Sequence, residues 1–199
     1  MFGLLCAIAV AVMLVAVISP ASCQQVTPDD TRMNMEELMQ PGLQAWTISA
    51  GAGFQHNLPT GPRSDLIADG LEVRWERYDH PDRALGLTLG YAKLRNIPEY
   101  INTVGFVGSY RQYCSIKPRR AIYWEGAVGL VHFDSLVREL ATHTNFTEHV
   151  GFGVQWPRGE AGAWTLGYRF QHVSNAGRKR PNIGLNASDL QIGYTTYLR

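Results

Sequence analysis

The chain has 199 residues, 45% of them hydrophobic and 18% charged, and carries a net charge of +1. That length fits one domain plus a targeting segment, and a single long apolar run, at the N-terminus, excludes a bundle of membrane helices, which needs several runs of about 20 residues. The near-zero charge removes a general case for nucleic-acid binding, while 20 glycines and 11% aromatics favour an all-β chain.

Leu4 to Ile18 is uncharged and is followed by Ser19-Pro20-Ala21-Ser22-Cys23. A run of about 15 is short for a spanning helix and suits the hydrophobic part of a secretory signal. Residues 1–23 are therefore read as a signal peptide, although no basic residue precedes the run. Cys23 is a candidate lipidation site, but Pro20 stands where such signals usually carry Leu. Residues 24–42 are polar and acidic and are read as a periplasmic N-terminal segment. Once the leader is gone, Cys114 is the one remaining cysteine, so no disulfide is expected within the chain.

From residue 43 to 199 the pattern has period two, in eight segments. Trp46, Ile48, Ala50, Ala52 and Phe54 share one parity; so do Leu71, Val73 and Trp75, and then Leu85, Leu87, Leu89 and Tyr91. Val104, Phe106 and Tyr110 follow, then Ile122, Trp124, Val128 and Leu130. The last three segments carry Phe146, Val150, Phe152, Val154 and Trp156; Trp164, Leu166, Tyr168 and Phe170; and Leu190, Ile192, Tyr194 and Leu198. Successive strand side chains point to opposite faces, so each segment has one apolar and one polar face.

A soluble sandwich turns its apolar faces inward, whereas an outer-membrane barrel turns them out to lipid. Three features favour the barrel. The opposite parity mixes Gly with Glu72, Arg74, Glu76, Arg111, Glu125 and Arg169, which suits a narrow lumen with paired charges. Aromatic residues gather near segment ends, as in interfacial girdles. Connections after the second, fourth and sixth segments are short, while those after the first, fifth and seventh are long, and the third, near Arg95 to Tyr100, is intermediate. Short periplasmic turns alternating with longer external loops define an eight-stranded antiparallel transmembrane β-barrel in the bacterial outer membrane, with both termini periplasmic. The ending Tyr197-Leu198-Arg199 departs from the aromatic C-terminus common in such barrels.

The seventh segment continues as Gln171-His172-Val173-Ser174-Asn175-Ala176-Gly177. His172 and Ser174 keep the outward parity and fall near the external end. An imidazole and a hydroxyl two residues apart on one face can form a base–nucleophile pair. On spacing alone, polar rim residues at the interfacial end of a strand are the plainer reading.

That stretch, with Pro181-Asn182-Ile183-Gly184-Leu185-Asn186 after it, resembles the C-terminal signature of the outer-membrane lipid A 3-O-deacylase (PagL-type) family, with a weaker echo at Gly53-Phe54-Gln55-His56-Asn57. The resemblance implies an eight-stranded barrel that hydrolyses an acyl ester of lipid A with a Ser-His-Glu triad on its lipid-facing side. It makes Ser174 the nucleophile and His172 the base. Asn175 and the Gly177 N–H become candidates for stabilising the oxyanion, and Asn182 a residue that holds the loop. Gly177 and Gly184 read as backbone-conformation residues.

The chain departs from that pattern at the triad acid, where Asn186 stands in place of Glu. An amide can orient an imidazole but does not stabilise the imidazolium as a carboxylate does. Asp189 has the wrong parity if the strand is already regular there. Glu148 has the outward parity of Val150 and is expected beside Phe170, diagonal to His172 and within reach of a long side chain. Asn186 or Glu148 is thus expected to orient His172, with Asn186 favoured by the motif.

Arg178-Lys179-Arg180 follows the serine directly and reads either as a solvated loop or as a binder of lipid A phosphates or core sugars. His56, His132, His143 and His149 lack metal-ligand spacing, and no phosphate-binding motif is present, so no metal and no cofactor are expected. The expected partner is lipid A or lipopolysaccharide in the outer leaflet, with a homodimer left open. Two other functions compete with the esterase: a non-catalytic barrel used for adhesion or binding, and a lipid acyltransferase or phospholipase barrel.

Overall fold

The computed structural model describes residues 34–56, 67–96, 99–137 and 139–198. The signal peptide read at 1–23 and the lipidation candidate Cys23 lie outside the described residues. Eight strands run β1 Gln44–His56, β2 Ile67–His80, β3 Arg83–Asn96, β4 Glu99–Lys117, β5 Arg120–Phe133, β6 Thr144–Arg158, β7 Gly162–Ser174 and β8 Leu185–Leu198. Each pairs antiparallel with the next, and β8 pairs with β1, closing the barrel. Closure removes the unpaired sheet edges that a membrane interior cannot hydrate.

The wall follows the sequence alternation. Leu71, Leu89, Phe106, Val128, Phe152 and Leu190 are exposed on the outside, whereas Arg74, Glu76, Arg111 and Glu125 are buried in the lumen. Glu125 accepts from Arg74 Nη1 at 2.6 Å and Arg111 Nη2 at 2.8 Å, and Arg111 Nη1 reaches Glu76 at 3.1 Å. Nearer the external end, Arg169 bridges Glu72 at 2.8 Å and Asp189 at 3.0 Å. Asp189 therefore faces the lumen, as its parity requires.

Two segments differ from expectation. The third connection is short, not intermediate: Arg95 still pairs with Tyr100 and Asn96 with Glu99. At the periplasmic end, residues 34–42 are more than a polar segment. Met35–Leu38 forms a short helix, α1, capped by the Asn34 side chain, which accepts from Glu37 N at 2.8 Å. Met35, Leu38 and Met39 share one face and pack against Tyr78, Tyr113, Tyr123 and Tyr197, so this segment stoppers the lumen. At the other end Val137 and Leu140 of the β5–β6 loop pack with Ile101, Phe133, Val173 and Leu185. A cavity of about 150 Å³, lined in part by Glu72, His149 and Arg169, occupies the upper lumen.

Candidate active site

Register places four polar side chains in one row on the outer wall near its external end. Glu148 of β6 pairs with His172 of β7, His172 with Asn186 of β8, and Asn186 with His56 of β1. The row crosses the point where the barrel closes, so residues far apart in sequence become neighbours. Glu148 is directly opposite His172, not diagonal to it, because the β6–β7 hairpin pairs Arg158 with Gly162 and so sets the register two residues away from the expected one.

His172 Nδ1 lies 2.8 Å from Asn186 Oδ1. An amide oxygen only accepts, so Nδ1 carries the proton and Nε2 keeps the basic lone pair. Gly184 backs the ring: a Cβ there would lie 2.7 Å from His172 Cε1, and its φ of +80° is a conformation that glycine adopts without strain. Ser174 projects from the same face of β7, opposite Phe146. Among the described residues, no hydrogen bond joins its hydroxyl to His172, and Glu148 is exposed without a hydrogen bond or ion pair.

Below this row runs a second polar chain that sequence reasoning did not assemble. His56 Nε2 lies 2.5 Å from Ser188 Oγ, which lies 2.6 Å from the Tyr168 hydroxyl. His56 stacks on Phe170 and meets Phe54 edge-on, and Ser188 is fully buried beneath these rings. Asn186 and Ser188 have outward parity yet are shielded, which keeps their polar groups off the lipid. The available signal was the parity His56 shares with Phe54, combined with the adjacency of the first and last strands in any closed barrel.

The loop after Ser174 is held from within. The Asn175 side-chain nitrogen donates to the carbonyls of Leu140 and Lys179, and its backbone N–H donates to Asn182 Oδ1 at 2.9 Å. Both amide hydrogens of Asn175 are thus engaged, and this side chain is not free to meet an oxyanion. The same bond links Asn182 across the loop to the residue that follows Ser174. Gly177 has φ +76°, and its N–H makes no hydrogen bond among the described residues. Arg178 is pinned: Nε donates to Asn175 O at 3.0 Å, Nη2 donates to Thr144 O, and the guanidinium lies over the Phe146 ring at 5.1 Å. Lys179 and Arg180 are exposed, with no side-chain partner among the described residues. The described residues also contain no group of three His, Cys, Asp or Glu placed to hold a metal ion.

These features define a small outer-membrane β-barrel with a polar row set into its lipid-facing wall. The chain belongs to the lipid A 3-O-deacylase (PagL) family, whose profile matches residues 48–195. Among solved structures, it is similar to the outer membrane enzyme PagL, with 19% identity, 74% of this chain and 97% of that one covered, and a TM-score of 0.61. It is also similar to Neisserial surface protein A, at 11% identity with coverage of 77% and 96% and a TM-score of 0.60. A third likeness is to Ail of Yersinia pestis in complex with the heparin analogue sucrose octasulfate, at 10% identity, coverage of 80% and 100%, and a TM-score of 0.52. No curated protein matches the sequence. A homodimer gains no support from these likenesses.

Proposed function

We propose that this chain is a serine esterase of the outer membrane that removes an acyl chain from lipid A, with Ser174 as nucleophile, His172 as general base and acid, and Asn186 orienting the imidazole. The observation that carries this reading is the 2.8 Å His172–Asn186 bond on the lipid-facing wall, in a chain of the deacylase family. It presents a basic Nε2 on the face from which Ser174 projects, where an outer-leaflet ester can meet both. Hydrogen bonds between nucleophile and base are commonly loose without substrate and tighten in the Michaelis complex.

In the proposed reaction, Ser174 Oγ attacks the ester carbonyl as its proton passes to His172 Nε2, and the carbonyl π pair moves to oxygen. Collapse of the tetrahedral intermediate breaks the bond to the sugar oxygen, which takes the proton from His172. Water then opens the acyl-enzyme with His172 again as base, releasing the fatty acid and free Ser174. With the Asn175 amide engaged in the loop, the Gly177 N–H is the remaining oxyanion donor, a contribution worth roughly 3 kcal/mol in other hydrolases. Lys179 and Arg180, exposed in the loop after Ser174, face the lipid A headgroup, while Arg178 fastens that loop, and the reaction needs no cofactor.

The test is mass spectrometry of lipid A from lipopolysaccharide-producing cells that carry the wild-type chain, Ser174→Ala, or neither. Loss of the mass of one acyl chain with the wild type alone supports the reading. Identical lipid A in all three overturns it in favour of a non-catalytic barrel, and a gain in mass would identify an acyltransferase.

A further inference from the structure

The row on the outer wall holds a carboxylate that the orienting role of Asn186 leaves unused. Glu148 is the one charged side chain among the outward residues Phe146, Glu148, Val150, Phe152 and Val154 of β6, and it sits directly across from His172. Directly opposed residues on one sheet face bring their Cβ atoms to about 5 Å, within range of a glutamate and an imidazole. A carboxylate facing lipid is costly unless it has a partner. Elsewhere at the external end of this wall, charged groups are matched: Asp69 pairs with Arg95, and Lys93 lies 4.1 Å from the centre of the Tyr100 ring. Glu148 is not, among the described residues.

We infer that the two jobs a single triad carboxylate performs are divided here between the flanks of His172: Asn186 fixes the ring's tautomer and orientation, while Glu148 supplies the negative charge that stabilises the imidazolium formed during acyl transfer. This inference rests on the esterase reading and deepens it. Asn186 is neutral and accounts for geometry alone. Glu148 is a positioning and electrostatic residue that acts through His172 and does not touch the ester. The charge balance is simple: when the Ser174 proton reaches Nε2, the ring becomes cationic and Glu148 remains anionic, so the pair is neutral while the oxyanion forms. Among the described residues, the charged or titratable groups on the neighbouring elements include Arg178 in the loop after β7, Glu139 in the β5–β6 loop, whose carbonyl accepts from Ile183 N at 2.9 Å, and His56 of β1 beyond Asn186. The nearby carboxylate of β8, Asp189, lies on the luminal face against Arg169.

The experiment follows the His172 ring resonances against pH in the full-length barrel, folded in detergent micelles with ¹⁵N-labelled histidine, for wild type, Glu148→Gln, and the double variant Glu148→Gln with Asn186→Glu. A chromogenic fatty-acyl ester gives kcat and KM for the same samples. Glu148→Gln moves the titration midpoint to lower pH, by roughly tenfold in proton concentration for loss of one nearby opposite charge, and lowers kcat with KM unchanged. Asn186→Glu in that background restores both. A midpoint that stays in place in folded Glu148→Gln overturns the division, whether or not the ester is hydrolysed. A midpoint that moves in a barrel with no hydrolysis by any form leaves the pairing standing and removes the esterase reading instead. Should Glu148→Gln fail to fold, Glu148→Ala takes its place as a second variant without the charge, and a midpoint unchanged in it is likewise contrary to the inference.

Discussion

The Asn186 side chain accepts the Nδ1 proton of His172 at 2.8 Å, and the two residues face each other directly across β7 and β8. The bond decides which imidazole nitrogen is basic. Asn186→Ala frees the ring to rotate and to exchange tautomers, and misplacement of a catalytic group by about 1 Å can cost on the order of 10²-fold in rate. The expected outcome is a fall in kcat of that size on a soluble ester, with little change in KM and with native heat-modifiable gel mobility. An unchanged kcat would remove Asn186 from the mechanism.

Gly184 sets the other side of the same ring. A methyl group there would stand 2.7 Å from His172 Cε1, and the left-handed backbone adds a penalty of about 1–2 kcal/mol for any L-residue. Gly184→Ala should therefore push the imidazole off its line and depress kcat while the barrel still folds. Gly177→Ala is the useful contrast: its φ is also positive, but nothing lies within 4 Å of the added carbon. Activity measured side by side should show the larger loss at Gly184, the position where steric pressure adds to backbone strain.

The lumen carries the most consequential single charge for stability. Glu125 is 4% exposed and accepts from both Arg74 and Arg111. Truncation leaves two guanidinium groups in a closed lumen with Glu76 alone near both, and breaking a buried pair from one side costs about 3–5 kcal/mol. Glu125→Ala is expected to lower the unfolding free energy of the reconstituted barrel by about that amount, read as a fall in its urea midpoint. Equal midpoints for variant and wild type would show that luminal water carries these charges.

The wall was legible in the sequence because lipid and lumen impose opposite chemistries on alternate residues, so a period of two survives in every strand. His172 and Ser174 inherited their outward direction from Phe170 in the same way. What parity cannot carry is register, which depends on where a hairpin turns: Glu148 therefore fell diagonal to His172 on paper and directly opposite it in space. The contact between His56 and Ser188 depends on barrel closure, which unites residues 132 positions apart. Asn175 shows a different limit. Its place in the motif suggested a donor to substrate, but its hydrogens are taken by carbonyls of Leu140 and Lys179, and a loop carbonyl leaves no trace in side-chain pattern. The helix α1 was hidden for a similar reason, since Met35, Leu38 and Met39 are too few to register as a period within a polar stretch.

The basic triplet after Ser174 is not one unit. Arg178 spends its guanidinium on the carbonyls of Asn175 and Thr144 and on the Phe146 ring, so it fastens the loop to the start of β6. Lys179 and Arg180 are exposed beside it, free to approach a phosphate. Removing both should weaken recognition of a phosphorylated glycolipid through lost charge-assisted hydrogen bonds, each worth on the order of 1–3 kcal/mol. Lys179→Ala with Arg180→Ala is expected to raise KM for lipopolysaccharide roughly tenfold or more, to leave a simple fatty-acyl ester untouched, and to blunt the dependence of KM on salt. Arg178→Ala should act on both substrates, because a loosened loop shifts Gly177 and Asn175 whatever the ester. Equal effects of the two variants on the two substrates would dissolve this division and return all three residues to a solvated loop.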